Sequence, residues 1–139
     1  MSIKFLENIA TADIAFEIKE KTLVKLFKSA AFALEESMVD TKTVSPKIKK
    51  EFTIETDKLD YLLYNFLSKL IYYKDAEGLV FSKVNLKISK KYKLHAKLKG
   101  EKIDINKHEL RSDVKAVTFH MFEIKKEKNF WYCRVILDI

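Results

Sequence analysis

The sequence predicts an α+β fold: one domain in which two amphipathic helices pack on mostly antiparallel β-sheet. Three observations carry this prediction. Two stretches, 23–38 and 59–71, repeat apolar residues at intervals of three and four, the helical period. Other stretches alternate apolar and polar residues, the period of a strand with one buried face. Several of these stand beside one another across short polar turns, which suits hairpins better than helical crossovers. With 139 residues the chain has room for one domain, and folding at this size buries roughly two-thirds of the unfolded surface.

Residues 12–19 place Ala12, Ile14, Phe16 and Ile18 on one face and Asp13, Ala15, Glu17 and Lys19 on the other, a half-buried strand. Thr22 then caps a helix with apolar positions Leu23, Leu26, Phe27, Ala30, Ala31, Leu34 and Met38. Residues 41–50 contain the only proline and read as a connection, and Phe52 and Ile54 mark a short strand. A second helix is expected from Thr56 or Asp57, with Leu59, Leu62, Leu63, Phe66, Leu67, Leu70 and Ile71 on one face. Asp75 to Gly78 reads as a turn. Two strands of a hairpin follow, carrying Val84, Leu86 and Ile88, then Tyr92, Leu94, Ala96 and Leu98, joined through 89–91. Residues 100–112 read as a polar loop. Residues 114–124 are apolar on both faces, as expected of a central strand. The last strand, 130–139, sets Trp131, Cys133, Val135, Leu137 and Ile139 against Tyr132, Arg134, Ile136 and Asp138.

Several chemistries are excluded by residue counts. The two glycines, Gly78 and Gly100, are too far apart for a phosphate-cradling loop or a dinucleotide fingerprint. A single cysteine, Cys133, permits neither an internal disulfide nor a cysteine-clustered metal site, and its apolar neighbours make it a structural residue. His95, His108 and His120 are too widely separated for a helical His-x-x-x-His pair. No Gly-x-Ser-x-Gly or comparable nucleophile signature occurs, so the chain is not expected to be an enzyme. Charges interrupt every apolar run, so neither a signal peptide nor a membrane span is expected, and a cytoplasmic location follows as an expectation.

Lys and Arg number 27 against 20 Asp and Glu, a net charge of +7, and 25 of the cations are lysine. An excess of this size suits an acidic partner such as nucleic acid. Lysine without arginine is also the ordinary surface of many soluble proteins, so charge alone leaves RNA binding open.

Five residues stand out as site candidates. Asp13 and Asp138 fall on the more polar faces of their strands, and Asp138 is followed by Ile139, the last residue. If the two strands are neighbours, two side-chain carboxylates and an α-carboxylate come together, and a divalent cation would relieve their repulsion. Fraying into solvent is the competing account of this end. Lys115 leads an apolar run and either snorkels to water or meets an anion or acidic partner. His108, in a polar loop, is expected to be the most exposed histidine; His120 is expected in the core or at its rim.

Read together, several segments resemble the archease family. They are Thr11-Ala12-Asp13-Ile14, Leu62-Leu63-Tyr64-Asn65-Phe66-Leu67, Glu77-Gly78-Leu79-Val80-Phe81, Gly100-Glu101 with Asp104 and His108, Val114-Lys115-Ala116-Val117-Thr118-Phe119-His120, and Val135-Ile136-Leu137-Asp138-Ile139. The likeness runs in order from about residue 5 to the end and implies a single archease-like domain over 1–139. It implies a non-enzymatic accessory factor of the RtcB-type tRNA-splicing RNA ligase. Such a factor promotes guanylylation of the ligase histidine, sustains multiple turnover and broadens the nucleotide accepted. It also implies a divalent metal, Ca²⁺ or Mg²⁺ with Mn²⁺ as a third candidate, held by Asp13, Asp138 and Ile139 through its terminal carboxylate. Lys115 and His108 become candidate contacts to the partner or to an anion. The ligase is the expected partner, with an indirect or weak tRNA contact, and a basic RNA-binding or chaperone-like module is the alternative. Three positions depart from the family pattern: Ala10 stands for a histidine, Phe66 for a tryptophan and Lys69 for an acid, and Ala10 and Lys69 are expected to bear on the metal site.

Overall fold

The computed structural model describes residues 2–6 and 13–139. Its strands are β1 (Ser2–Leu6), β2 (Asp13–Glu20), β3 (Ile48–Glu55), β4 (Leu79–Ser89), β5 (Lys93–Lys102), β6 (Ala116–Lys126) and β7 (Trp131–Asp138), and its helices are α1 (Leu23–Met38) and α2 (Leu59–Glu77). They form an α+β domain with two antiparallel sheets, one ordered β1-β2-β7-β6 and the other β3-β5-β4. Helix α1 touches β2, β7 and β4, and α2 touches β6, β3 and β4, so the helices join both sheets into one core. That core takes Phe16 and Ile18 from β2, Val135 and Leu137 from β7, Leu94 and Leu98 from β5, and the apolar stripes of both helices. Among the described residues no helix is long and apolar enough to cross a membrane.

Most elements follow the sequence pattern closely. Thr22 caps α1, its hydroxyl accepting from the Lys25 amide at 3.1 Å. Helix α2 begins slightly later than expected, at Leu59, and continues through the predicted turn to Glu77. Gly78 ends it in the left-handed region (φ 64°), where a side chain would be strained. Strand β3 extends back to Ile48; Lys50 interrupts its apolar pattern but pairs with Glu77 at 2.8 Å and lies over the Tyr73 ring. Strand β1 carries no alternation long enough to announce it and pairs as an edge with β2.

The expectation of a central strand at 114–124 fails. The central position belongs to β7, between β2 and β6, while β6 is an edge. The β6–β7 register breaks between Thr118 and Glu123, with Met121 at φ 54°. Arg134 holds this irregularity by donating from Nε to the Met121 carbonyl at 2.9 Å. The doubled apolar faces have a local cause: Phe119 stacks on Tyr64 of α2 at 4.1 Å, while His120 and Met121 are exposed.

The second irregularity lies between β4 and β5, at Phe81 to Lys83. There β5 approaches so closely that a Cβ on Gly100 would stand 1.9 Å from the Val80 carbonyl oxygen. The Phe81 amide donates instead to Oε1 of Glu35 at 2.9 Å, and Glu35 is fully buried on α1. Burial pushes the Glu35 carboxyl up to about 8.

Candidate carboxylate site and the family of the chain

Asp13 opens β2 and Asp138 closes β7, and the antiparallel register sets them directly opposite one another. Ile14 faces Leu137 and Phe16 faces Val135 in the same ladder, with Phe16, Val135 and Leu137 in the core. Strand alternation therefore places both aspartates together on the other face of the sheet. Directly opposed residues have Cβ atoms about 5 Å apart, and like charges in that position repel. On its other side Asp138 faces Ala116, a small residue that leaves the carboxylate room. Lys115 is tied to the same point by its backbone, which donates to the Asp138 carbonyl at 2.7 Å; its side chain is exposed. The Ile139 side chain packs against the core, so the segment holding Asp138 is anchored rather than frayed.

Among the described residues, no three His, Cys, Asp or Glu side chains gather as a metal cluster. The donors that the register brings together are the two facing carboxylates. An all-oxygen set of opposed anions fits a hard divalent cation.

Asp13 also borders an open pocket of 480 Å³ lined by Phe5, Phe32, Glu36, Arg111 and Ser112 among others. Nη1 of Arg111 donates to the Glu36 carbonyl and to Glu36 Oε2, both at 2.9 Å. Partial burial raises the Glu36 carboxyl, but hydrogen bonds from Thr41 and Arg111 outweigh it and hold the group below the usual carboxylate range. The sequence reading missed this pair. Its signal was the rarity of arginine, because Arg111 is one of only two in the chain.

His108 does not join the site, and the expectation of an exposed histidine is corrected. Its side chain is completely buried, at 0% exposure. The Asp104 backbone N–H donates to Nδ1 at 2.9 Å, leaving Nε2 to donate to Glu101 at 2.7 Å. The loop folds back because Glu101 also accepts from Lys107 and the Ser45 amide. With Lys107 foremost, these contacts hold the Glu101 carboxyl down at about 2. His108 is thus a fastener of the 103–108 loop. His120, expected in or beside the core, is exposed on β6. Cys133 is buried as expected, its thiol pushed up to about 12.

Ala10 lies outside the described residues. The Lys69 ammonium lies over the rings of Phe52, Tyr72 and Tyr73 at 5.9, 4.8 and 5.2 Å, so aromatic faces on α2 and β3 accommodate the reversed charge.

The model of the Archease protein family (MTH1598/TM1083) matches residues 4–139. This chain belongs to the archease family. The archease of Sulfurisphaera tokodaii is 39% identical over 137 residues, covering 98% of this chain and 97% of that protein. The archease of Pyrococcus abyssi is 40% identical over 133 residues, covering 93% and 94%. The solution structure of Methanobacterium thermoautotrophicum protein 1598 superimposes with a TM-score of 0.80 at 34% identity, covering 99% of each chain. A crystal structure of a Thermotoga maritima archease, described there as a possible chaperone, has a TM-score of 0.69 at 20% identity over 94% of this chain and 93% of that one. This last likeness is one of fold.

Proposed function

We propose that this archease is a non-enzymatic activator of an RtcB-type tRNA-splicing RNA ligase in the cytoplasm. It promotes guanylylation of the ligase, sustains multiple turnover and broadens nucleotide use. The observation that carries the reading is the facing pair Asp13 and Asp138, set edge to edge in a family member whose described residues otherwise lack a clustered metal-ligand set. Ca²⁺ or Mg²⁺, or Mn²⁺ in the same oxygen donors, is held by Asp13, Asp138 and the Ile139 terminal carboxylate. A bound cation supplies charge neutralisation for phosphoryl transfer, which depends largely on positioning and electrostatics. Lys115 contacts an anionic group on the partner, a role supported by its exposed side chain and its backbone bond to Asp138.

The test is multiple-turnover ligation with GTP, with this protein present at substoichiometric amounts. Wild type is expected to raise the number of turnovers while leaving single-turnover sealing by pre-guanylylated ligase unchanged. Asp13→Ala and Asp138→Ala are expected to lose at least ten-fold of the stimulation with unchanged circular dichroism. Full stimulation by both variants would overturn the reading.

A further inference from the structure

The outer face of the three-stranded sheet concentrates the positive charge of the molecule. Register places Lys49, Lys99 and Lys83 in one row, Glu51, Lys97 and Asn85 in the next, then Thr53, His95 and Lys87, then Glu55, Lys93 and Ser89. The alternate residues, including Ile54, Leu94 and Leu98, face the core. All six lysines of the outer face are exposed. Among the described residues none of the six lies within ion-pair range of a carboxylate, whereas Lys50, Lys74, Lys107 and Lys125 all do. Glu51 is engaged by His95 Nε2 at 2.6 Å. With Lys90 and Lys91 of the adjoining turn, this surface holds eight lysines against two glutamates, leaving 19 cations against 18 acids in the rest of the chain. The net charge of +7 is therefore almost entirely a property of one face.

We infer that this face binds single-stranded RNA, its backbone running along β5 and a base stacking on Tyr92 at the hairpin tip. Lysines on alternate residues of a strand are about 6.8 Å apart and those on neighbouring strands about 4.8 Å apart, a grid that can follow successive phosphates. Lysine supplies point charges without arginine's bidentate geometry, which suits sequence-independent contact. Asn85 and Ser89 stand among the lysines as exposed neutral hydrogen-bonding groups for ribose 2′-hydroxyls. Tyr92 is exposed in the turn before β5, where a φ of 51° takes it out of the strand alternation that turns Leu94 to the core, and its ring offers a stacking platform. An anionic membrane is a poorer fit because Tyr92 is the only large exposed hydrophobic residue on this sheet. The inference does not depend on the carboxylate site, which belongs to the other sheet.

The test is fluorescence anisotropy with a labelled, unstructured RNA of about ten nucleotides, about twice the five that a ten-residue strand tracks at two residues per phosphate, titrated over a series of salt concentrations. Reversing Lys87, Lys97 and Lys99 to Glu is expected to weaken binding at least ten-fold. Because each single-strand phosphate contact contributes a log–log salt slope of about −0.7, the slope is expected to fall in magnitude by about 2. Reversing Lys21, Lys25 and Lys128, which are exposed on other faces, makes the same change in net charge and is expected to alter affinity less than two-fold. Circular dichroism and Tm confirm that both variants fold. No binding by wild type, equal losses in both variants, or binding to phosphatidylserine vesicles in place of RNA would overturn the inference. Equal affinity for the matching DNA strand would overturn the assignment to RNA.

Discussion

The outer faces of the two sheets treat charge in opposite ways. On the four-stranded sheet, Lys4, Glu17, Arg134 and Glu123 form one row that alternates sign across all four strands. Arg134 pairs with Glu123 at 3.1 Å, and the Tyr132 hydroxyl donates to Glu17 at 2.9 Å. On the three-stranded sheet, Lys49, Lys99 and Lys83 stand side by side with no acid between them. Opposite charges across a ladder stabilise a sheet and like charges directly opposed destabilise it. The first face is internally neutralised, while the second keeps a repulsion that only an external anion relieves. The facing pair Asp13 and Asp138 is the same situation with the sign reversed, at the end of the neutralised sheet. In both places like charges face one another across the ladder with no counter-charge between them.

The sheets also differ in what holds their irregularities, and the largest expected effect lies there. The break in β6–β7 is held at the surface by Arg134, whereas the one in β4–β5 rests on backbone packed against backbone at Gly100. Gly100→Ala would drive a methyl into the Val80 carbonyl and the Phe81 Cα, which no rotamer change can avoid. A loss of about 3 kcal/mol or more is expected in urea unfolding. Gly78→Ala meets no atom within 4 Å and pays only for its positive φ, about 1–2 kcal/mol. Equal losses at the two glycines would refute the distinction.

The same bulge carries a pH dependence through Glu35. Its carboxyl is raised from 4.5 in the ordinary case to about 8 in the folded protein. Below pH 4.5 both folded and unfolded chains hold the proton, and stability is unaffected. Between 4.5 and 8 the unfolded chain releases it while the folded chain keeps it, so stability falls as pH rises, by up to about 1.4 kcal/mol per unit. Glu101 acts in another window: its carboxyl is depressed to about 2, so its contribution is present above 4.5 and lost as pH falls toward 2. Urea unfolding at pH 5, 7 and 8 is expected to show declining stability in wild type and a flatter profile in Glu35→Gln. Parallel profiles for the two proteins would exclude Glu35 as the source.

How far the sequence revealed all this depends on how local each determinant is. Helices α1 and α2 were legible because the 3–4 spacing of Leu26, Phe27, Ala30 and Leu34, or of Leu62, Leu63, Phe66 and Leu70, is complete within each segment. The facing of Asp13 and Asp138 was legible only as a condition, since strand parity fixes which face a residue occupies but not which strand lies next to it. The placement of β6 was misread because Phe119 and Met121 imitate a doubly buried strand while both are exposed, Phe119 stacking on Tyr64 of α2. His108 was misread because its partner Glu101 lies on a neighbouring strand end, and a loop histidine without visible partners looks solvent-exposed. The lysine face was only half legible. Between Glu77 and Glu101 the sequence holds seven lysines and no acid, but that these share one face with Lys49 follows only from the β3-β5-β4 register.

The smallest expected effects are the ones that separate the two sheet faces most directly. Glu17→Lys would put a lysine between Lys4 and Arg134, so that three cations stand side by side in a row that now alternates. Lys99→Glu would give the row Lys49, Lys99, Lys83 an alternating pattern it lacks. The cross-strand scale of about 0.2–1 kcal/mol sets the size of both changes and their opposite signs: Glu17→Lys lowers stability and Lys99→Glu raises it. Both effects are expected to shrink in 1 M salt, where the screening length falls to about 3 Å, less than the distance between strands. Urea unfolding of the two variants at low and high salt makes the measurement. A destabilising Lys99→Glu at low salt would mean that the lysine row is already relieved within the protein, and the contrast between the two faces would then be lost.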